Sequence, residues 1–136
     1  DFFSIGTNDL TQYIMAADRD NPDVAHLFDY FQPAVLRALY STTSSAKQAG
    51  VPISMCGEMA GDTLALPILV GMGLKEVSMT PSRIPEFKLD IKNFTFKVCS
   101  GLVDELLEME TATEVAQVCR DFTERYRPLL KGSHKH

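Results

Sequence analysis

The stretch SMCGEMAGD, residues 54–62, ends a short apolar run on a single thiol, Cys56, with two glycines and two acids close behind it. Free cysteine is among the most buried residue types, so a core role is the bland reading, and it suits Cys99 and Cys119, which fall within amphipathic patterns. Cys56 differs because the apolar run stops there, and Gly57 and Gly61 leave the backbone open to a close-lying ligand. No histidine lies near it in sequence, so a Cys–His nucleophile is not indicated. A thiol with a pKa near ~8.5 is mostly protonated at neutral pH and can give up its proton, and a neighbouring Glu58 charge keeps it so. General acid is favoured over nucleophile.

A second pair, Asn8 and Asp9, sets a carboxamide beside a carboxylate where another apolar run ends. That combination suits a hard divalent cation and an anionic substrate, since magnesium takes one or two carboxylates and fills its other positions with water and phosphate oxygens. The alternative is that the two residues only cap a helix. Arg19, one helix length further on, has the planar fork that clamps a phosphate or carboxylate, although a solvated surface arginine is the commoner outcome.

Elements of an α/β fold must position these groups. Apolar runs at Phe2–Ile5, Val51–Met55 and Val77–Met79 are each followed by a helical pattern, which signals βαβ units and a parallel sheet. The first helix places Leu10, Tyr13, Ile14 and Ala17 on one face, with Thr7 or Asn8 at its cap. After the break DRDNPD, Pro33 opens a stronger helix with Val35, Leu36, Leu39 and Tyr40 inward, closed by Gly50. Asp62 is expected to cap a third helix carrying Leu64, Leu66, Ile68, Leu69 and Met72, with a kink at Pro67. Beyond Pro85 the pattern is wholly helical. Val98, Leu102, Val103, Leu106 and Leu107 form one stripe; Thr111 and Glu114 form a capping box for a last helix with Val115, Val118, Phe122 and Tyr126 inward. In parallel α/β folds chemistry gathers at the carboxyl ends of the strands. GTND, CGEMAGD and TPSR therefore converge on one rim.

Composition narrows the partners. The 136 residues, 45% of them hydrophobic, suffice for one ordinary domain, and a net charge of −5 argues against nucleic acid or an anionic membrane surface. No apolar run approaches the roughly 20 residues of a membrane helix. Three widely spaced cysteines without a C-x-x-C favour neither a disulfide framework nor a zinc site, which fits a cytoplasmic location. The chain opens at Asp1 directly into a strand-like run, as expected of a piece of a longer protein. The polar tail over 131–136, with His134 and His136, forms no credible site and is either natural or an artificial appendage.

SIGTNDLTQY followed by AADR, and then MCGEMAGD with LVGMGLKEVSM, resembles the C-terminal domain of the Enzyme I family of the bacterial sugar phosphotransferase system, the phosphoenolpyruvate–protein phosphotransferases. The resemblance runs from Asp1 to about Pro85. It implies the last three strand–helix units of a phosphoenolpyruvate-binding TIM (β/α)8 barrel, followed by C-terminal helices, over residues 1–130. It also implies Mg2+ as cofactor. By motif, Asn8 and Asp9 correspond to substrate-binding residues, with Asp9 the metal ligand, and Arg19 to the arginine holding the substrate phosphate. Cys56 corresponds to the cysteine that protonates the enolpyruvate carbon. The second metal carboxylate, further arginines and the domain bearing the phosphorylated histidine would lie upstream, and none of His26, His134 or His136 matches that histidine's motif. The implied partners are phosphoenolpyruvate and pyruvate, together with the histidine phosphocarrier protein reached through the missing N-terminal domain. An open three-stranded sheet implies a homo-oligomer. The alternatives are a segment of pyruvate phosphate dikinase or phosphoenolpyruvate synthase, or a non-catalytic, self-associating barrel fragment.

Overall fold

A computed structural model describes residues 1–127; the tail expected over 131–136 lies outside the described residues. Three parallel strands form one sheet in the order β1 (Phe3–Gly6), β2 (Ile53–Cys56), β3 (Glu76–Val77). Two helices, α1 (Thr7–Met15) and α2 (Pro33–Ala49), lie between β1 and β2, and α3 (Leu66–Gly71) connects β2 to β3. After β3 the chain continues as α4 (Ile84–Asp90), α5 (Phe96–Leu106) and α6 (Ala112–Tyr126). Parallel pairing requires crossovers of this kind, because a tight hairpin cannot return a strand in the same direction.

The register explains how the sheet is used. Ile5 pairs with Met55 and Met55 with Val77. Ile5 and Met55 are buried, and Val77 packs against the same core cluster, so this row faces the helices. The alternate row, Ser4–Ser54–Glu76, points to the other face, because side chains alternate along a strand. The described residues leave Ser4 and Glu76 exposed and Ser54 half-buried. Gly6 and Cys56, paired at the carboxyl end, share the parity of this polar row.

On the helical side, Val35, Leu36 and Leu39 of α2 pack with Ile68 and Leu69 of α3, Leu102, Val103 and Leu106 of α5, and Val115 of α6. Fully burying a side chain of this size is worth about 1.5–3 kcal/mol, so this cluster holds the layers together. The close contact between α3 and α5 depends on Gly71. A Cβ there would collide with the Cys99 carbonyl and stand 2.7 Å from Val103 Cγ2. A second cluster joins Leu66, Phe87, Phe94 and Cys99, with Phe122 and Tyr126 against it. The Thr111–Glu114 capping box forms as expected, with both reciprocal hydrogen bonds present.

Several local expectations are corrected. Tyr13 is 85% exposed and Tyr40 39% exposed, so neither lies on a core face; each occupies the margin of its helix's apolar stripe, where the phenol reaches water. Helix α1 has Gly6 at its N-cap and no side-chain cap, because Thr7 and Asn8 make bonds to another strand–loop unit instead. Asp62 does not cap α3, which starts at Leu66; Asp62 accepts from the Leu64 N–H at 2.8 Å within a preceding turn. Pro67 therefore falls in the first turn of α3, where its missing N–H has no intrahelical partner to lose, and no kink is required. Strand β3 is also short, Glu76–Val77, although the Ser78 N–H still donates to the Met55 carbonyl at 2.8 Å. Among the described residues no helix is long and apolar enough to cross a membrane.

Candidate active site

The segments that follow the three strands meet at the carboxyl edge of the sheet. Thr7, buried at the start of α1, donates its hydroxyl to the Cys56 carbonyl at 2.9 Å, and Thr11 Oγ1 donates to the Thr7 carbonyl at 2.7 Å. The first of these bonds ties the first helical turn to the end of β2, and the second lies within the helix. Asn8 Oδ1 accepts the backbone N–H of Glu58 at 3.2 Å. Between Cys56 and Glu58 the chain turns through Gly57 at φ +98°, a region that strongly favours glycine. A Cβ on Gly57 would stand 3.2 Å from Asn8 Oδ1 and clash with the Thr7 hydroxyl.

Cys56 is exposed at the end of the middle strand, and its thiol donates to the Ile5 carbonyl at 3.6 Å, a weak sulfur hydrogen bond. The other two cysteines are buried, as expected of core residues. Burial pushes the Cys99 thiol up to about 11 and the Cys119 thiol up to about 12. Such groups stay neutral and inert, whereas Cys56 is the accessible thiol among the described residues.

Glu58 opens a single 3-10 turn, Glu58–Gly61, that ends at Asp62. Asp62 accepts the hydroxyl of Tyr30, which lies in the irregular segment before α2. Partial burial together with the adjoining Asp62 carboxylate raises the Tyr30 pKa well above the ordinary phenol value. The loop after β2 is thus held at its start by Asn8 and at its end by Tyr30. Arg19 faces Glu58, with Nη1 3.8 Å from Oε1 and both side chains largely exposed. An open pair of this kind contributes little to stability, so Arg19 is available to another anion.

A cleft of about 800 Å3 opens at this edge, its wall including Asn8, Glu58, Ser78, Thr80 and Arg83. Asp9, Arg19 and Cys56 lie outside its lining: Asp9 follows Asn8, Cys56 precedes the lining residue Gly57, and Arg19 faces Glu58. The four residues singled out in the sequence are therefore brought to one end of the sheet, with the cleft beside them. Sequence reasoning did not single out Thr7, Tyr30 or Arg83 for this site. Thr7 and Arg83 belong to segments assigned to the rim, but nothing in the irregular residues around Tyr30 signalled its bond to Asp62.

Among the described residues no group of three or more His, Cys, Asp or Glu side chains is assembled for a metal ion. Asp9 is exposed in the first turn of α1. A single carboxylate fits magnesium, which keeps most of its shell for water and substrate oxygens, but does not make a self-sufficient protein site.

Residues 1–96 match the family described as PEP-utilising enzyme, PEP-binding domain, and the chain belongs to that family. It is 47% identical over 118 residues to a phosphoenolpyruvate-protein phosphotransferase of Haloferax volcanii, covering 87% of this chain and 21% of that protein. It is 41% identical over 132 residues to multiphosphoryl transfer protein 1 of Escherichia coli, covering 96% of this chain and 16% of that protein. A phosphoenolpyruvate-protein phosphotransferase of Mycoplasma pneumoniae is 43% identical over 122 residues, 90% of this chain and 21% of that protein. The chain spans about one fifth of the length of these relatives.

Proposed function

We propose that the chain is the carboxyl-terminal part of a phosphoenolpyruvate–protein phosphotransferase, the cytoplasmic Enzyme I of a sugar phosphotransferase system, and supplies one side of its substrate site. The observation that carries this reading is the bonding of GTND to CGE: Thr7 to the Cys56 carbonyl and Asn8 to the Glu58 N–H. It joins the two segments of family character at the open end of a parallel sheet. The parallel pairing of three successive strands in chain order, with helices between them, supports the finer reading that this sheet is part of a (β/α)8 barrel, whose remaining strands come from chain preceding the segment.

In the reaction, the bond from phosphorus to the enol oxygen of phosphoenolpyruvate breaks and a bond to a histidine nitrogen elsewhere in the enzyme forms. The phosphoryl group then passes to the histidine phosphocarrier protein. Catalysis of such a transfer is chiefly positioning and charge neutralisation. Arg19 would hold the substrate phosphate, and Asn8 would orient the substrate. Asp9 would hold Mg2+, which when bound neutralises phosphate charge. Cys56 would deliver its proton to the methylene carbon of the departing enolate, giving pyruvate, and recover a proton from solvent. Its exposed thiol on the open face of the sheet supports that role.

The same reading makes the 136-residue chain alone inert in phosphoryl transfer, since the acceptor histidine and the second metal carboxylate belong to the rest of the enzyme, and self-associating, because among the described residues β1 and β3 each present an unpaired strand edge. The test is phosphoenolpyruvate-dependent phosphorylation of a histidine phosphocarrier protein by the intact protein containing this chain. Transfer with release of pyruvate is expected; absence of both overturns the reading.

A further inference from the structure

The wall of the cleft carries three charged side chains, Glu58, Asp62 and Arg83. Glu58 faces Arg19, and Asp62 is engaged by the Tyr30 hydroxyl and the Leu64 N–H. Arg83 has no ion-pair partner among the described residues, although it is exposed and sits on the rim after β3. It shares its stretch of wall with the hydroxyl-bearing Ser78 and Thr80, and faces a space into which Asn8 also opens. The segment that carries it packs on the loop after β2 at Gly61, where a Cβ would stand a tight 3.1 Å from Met79 Cβ and in ordinary contact, 3.7 Å, with Arg83 Cβ. The fold thus brings an uncompensated guanidinium, flanked by hydroxyl groups, against the loop that follows Cys56.

We infer that Arg83 is a substrate-binding residue of this cleft, pairing with an anionic group of the bound phosphorylated carboxylate from the β3 side while Arg19 acts from the Glu58 side. The inference rests on the function proposed above and assigns that site a second cation. A guanidinium binds either a phosphate or a carboxylate through two parallel N–H bonds, which a lysine cannot reproduce.

The test compares the intact protein with its Arg83→Gln, Arg83→Lys and Lys75→Gln variants. Lys75 is exposed and outside the cleft lining, so it controls for the loss of one positive charge. Steady-state turnover and direct titration with phosphoenolpyruvate are measured, and circular dichroism checks that each variant is folded. Arg83→Gln is expected to raise KM and the dissociation constant about ten-fold, with kcat changed less than about two-fold, Arg83→Lys falling between and Lys75→Gln matching the wild type. Equal affinities for wild type and Arg83→Gln, or equal losses in Arg83→Gln and Lys75→Gln, overturn the role of Arg83 and leave the proposed function standing. A wild-type protein that neither binds nor turns over phosphoenolpyruvate overturns both.

Discussion

Asn8 Oδ1 accepts the backbone N–H of Glu58 at 3.2 Å, joining two segments 50 residues apart in the chain. The bond sits beside Gly57, whose positive φ turns the backbone away from Cys56. Asn8→Ala removes the acceptor and is expected to cost about 0.5–1.5 kcal/mol locally. Hydrogen exchange at the Glu58 amide should accelerate, while Asn8→Asp, which keeps an acceptor, should retain protection. An unchanged Glu58 exchange rate in Asn8→Ala would show that the loop is held by other contacts.

Cys56→Ser in the intact protein is expected to lower the rate of pyruvate formation by about 10²-fold, since a serine hydroxyl is a far weaker acid than a thiol. Phosphoenolpyruvate affinity should change less than about two-fold, because the thiol acts after the phosphoryl group has left. Equal pyruvate formation by the two proteins would sink the general-acid role.

Asp9 and Arg19 should separate by readout. Asp9→Asn replaces a charged oxygen ligand of a hard cation with a neutral one, so the Mg2+ concentration for half-maximal activity should rise about ten-fold. Arg19→Gln should instead weaken phosphoenolpyruvate binding at saturating Mg2+, also by about ten-fold. Superimposable metal titrations of wild type and Asp9→Asn would leave Asp9 with only its place in the first turn of α1.

The two buried thiols predict alkaline lability. Burial raises Cys99 to about 11 and Cys119 to about 12, whereas in the unfolded chain each ionises near ~8.5. Above that value the unfolded state loses protons first and gains in stability over the folded state. The stabilisation from the neutral thiols is therefore complete below pH ~8.5 and is lost as pH rises toward 11–12, by up to about 1.4 kcal/mol per pH unit for each thiol. The raised Tyr30 pKa acts in the same direction at still higher pH. Urea unfolding of the chain between pH 7 and 10.5 measures this slope. Cys99→Ala and Cys119→Ala should each flatten it, and a slope unchanged from the wild type in both variants would refute the assignment.

By itself the sequence determined the alternation of strands and helices, the parallel sheet, the two buried cysteines and the last capping box. These follow from period, chain direction and near-neighbour chemistry, which are local properties. The sequence also determined the rim, because a parallel sheet puts GTND and CGEMAGD at the same end of adjacent strands. Only the tertiary structure decided how the side chains there are spent. Thr7 and Asn8 have the chemistry of helix caps, but the Cys56 carbonyl and the Glu58 N–H lie within reach once β1 and β2 pair, and each side chain bonds across the strands. Asp62 likewise is taken by Tyr30, from a segment with no periodic signal, and α3 starts later than its sequence pattern suggests. Tyr13 and Tyr40 show the same limit from the other side: helical spacing gives the angle of a residue around its helix, but the neighbouring layer determines how wide a stripe is covered. Arg83 shares the cleft wall with Gly61, against which Met79 packs closely, a relation between two loops that no local pattern encodes.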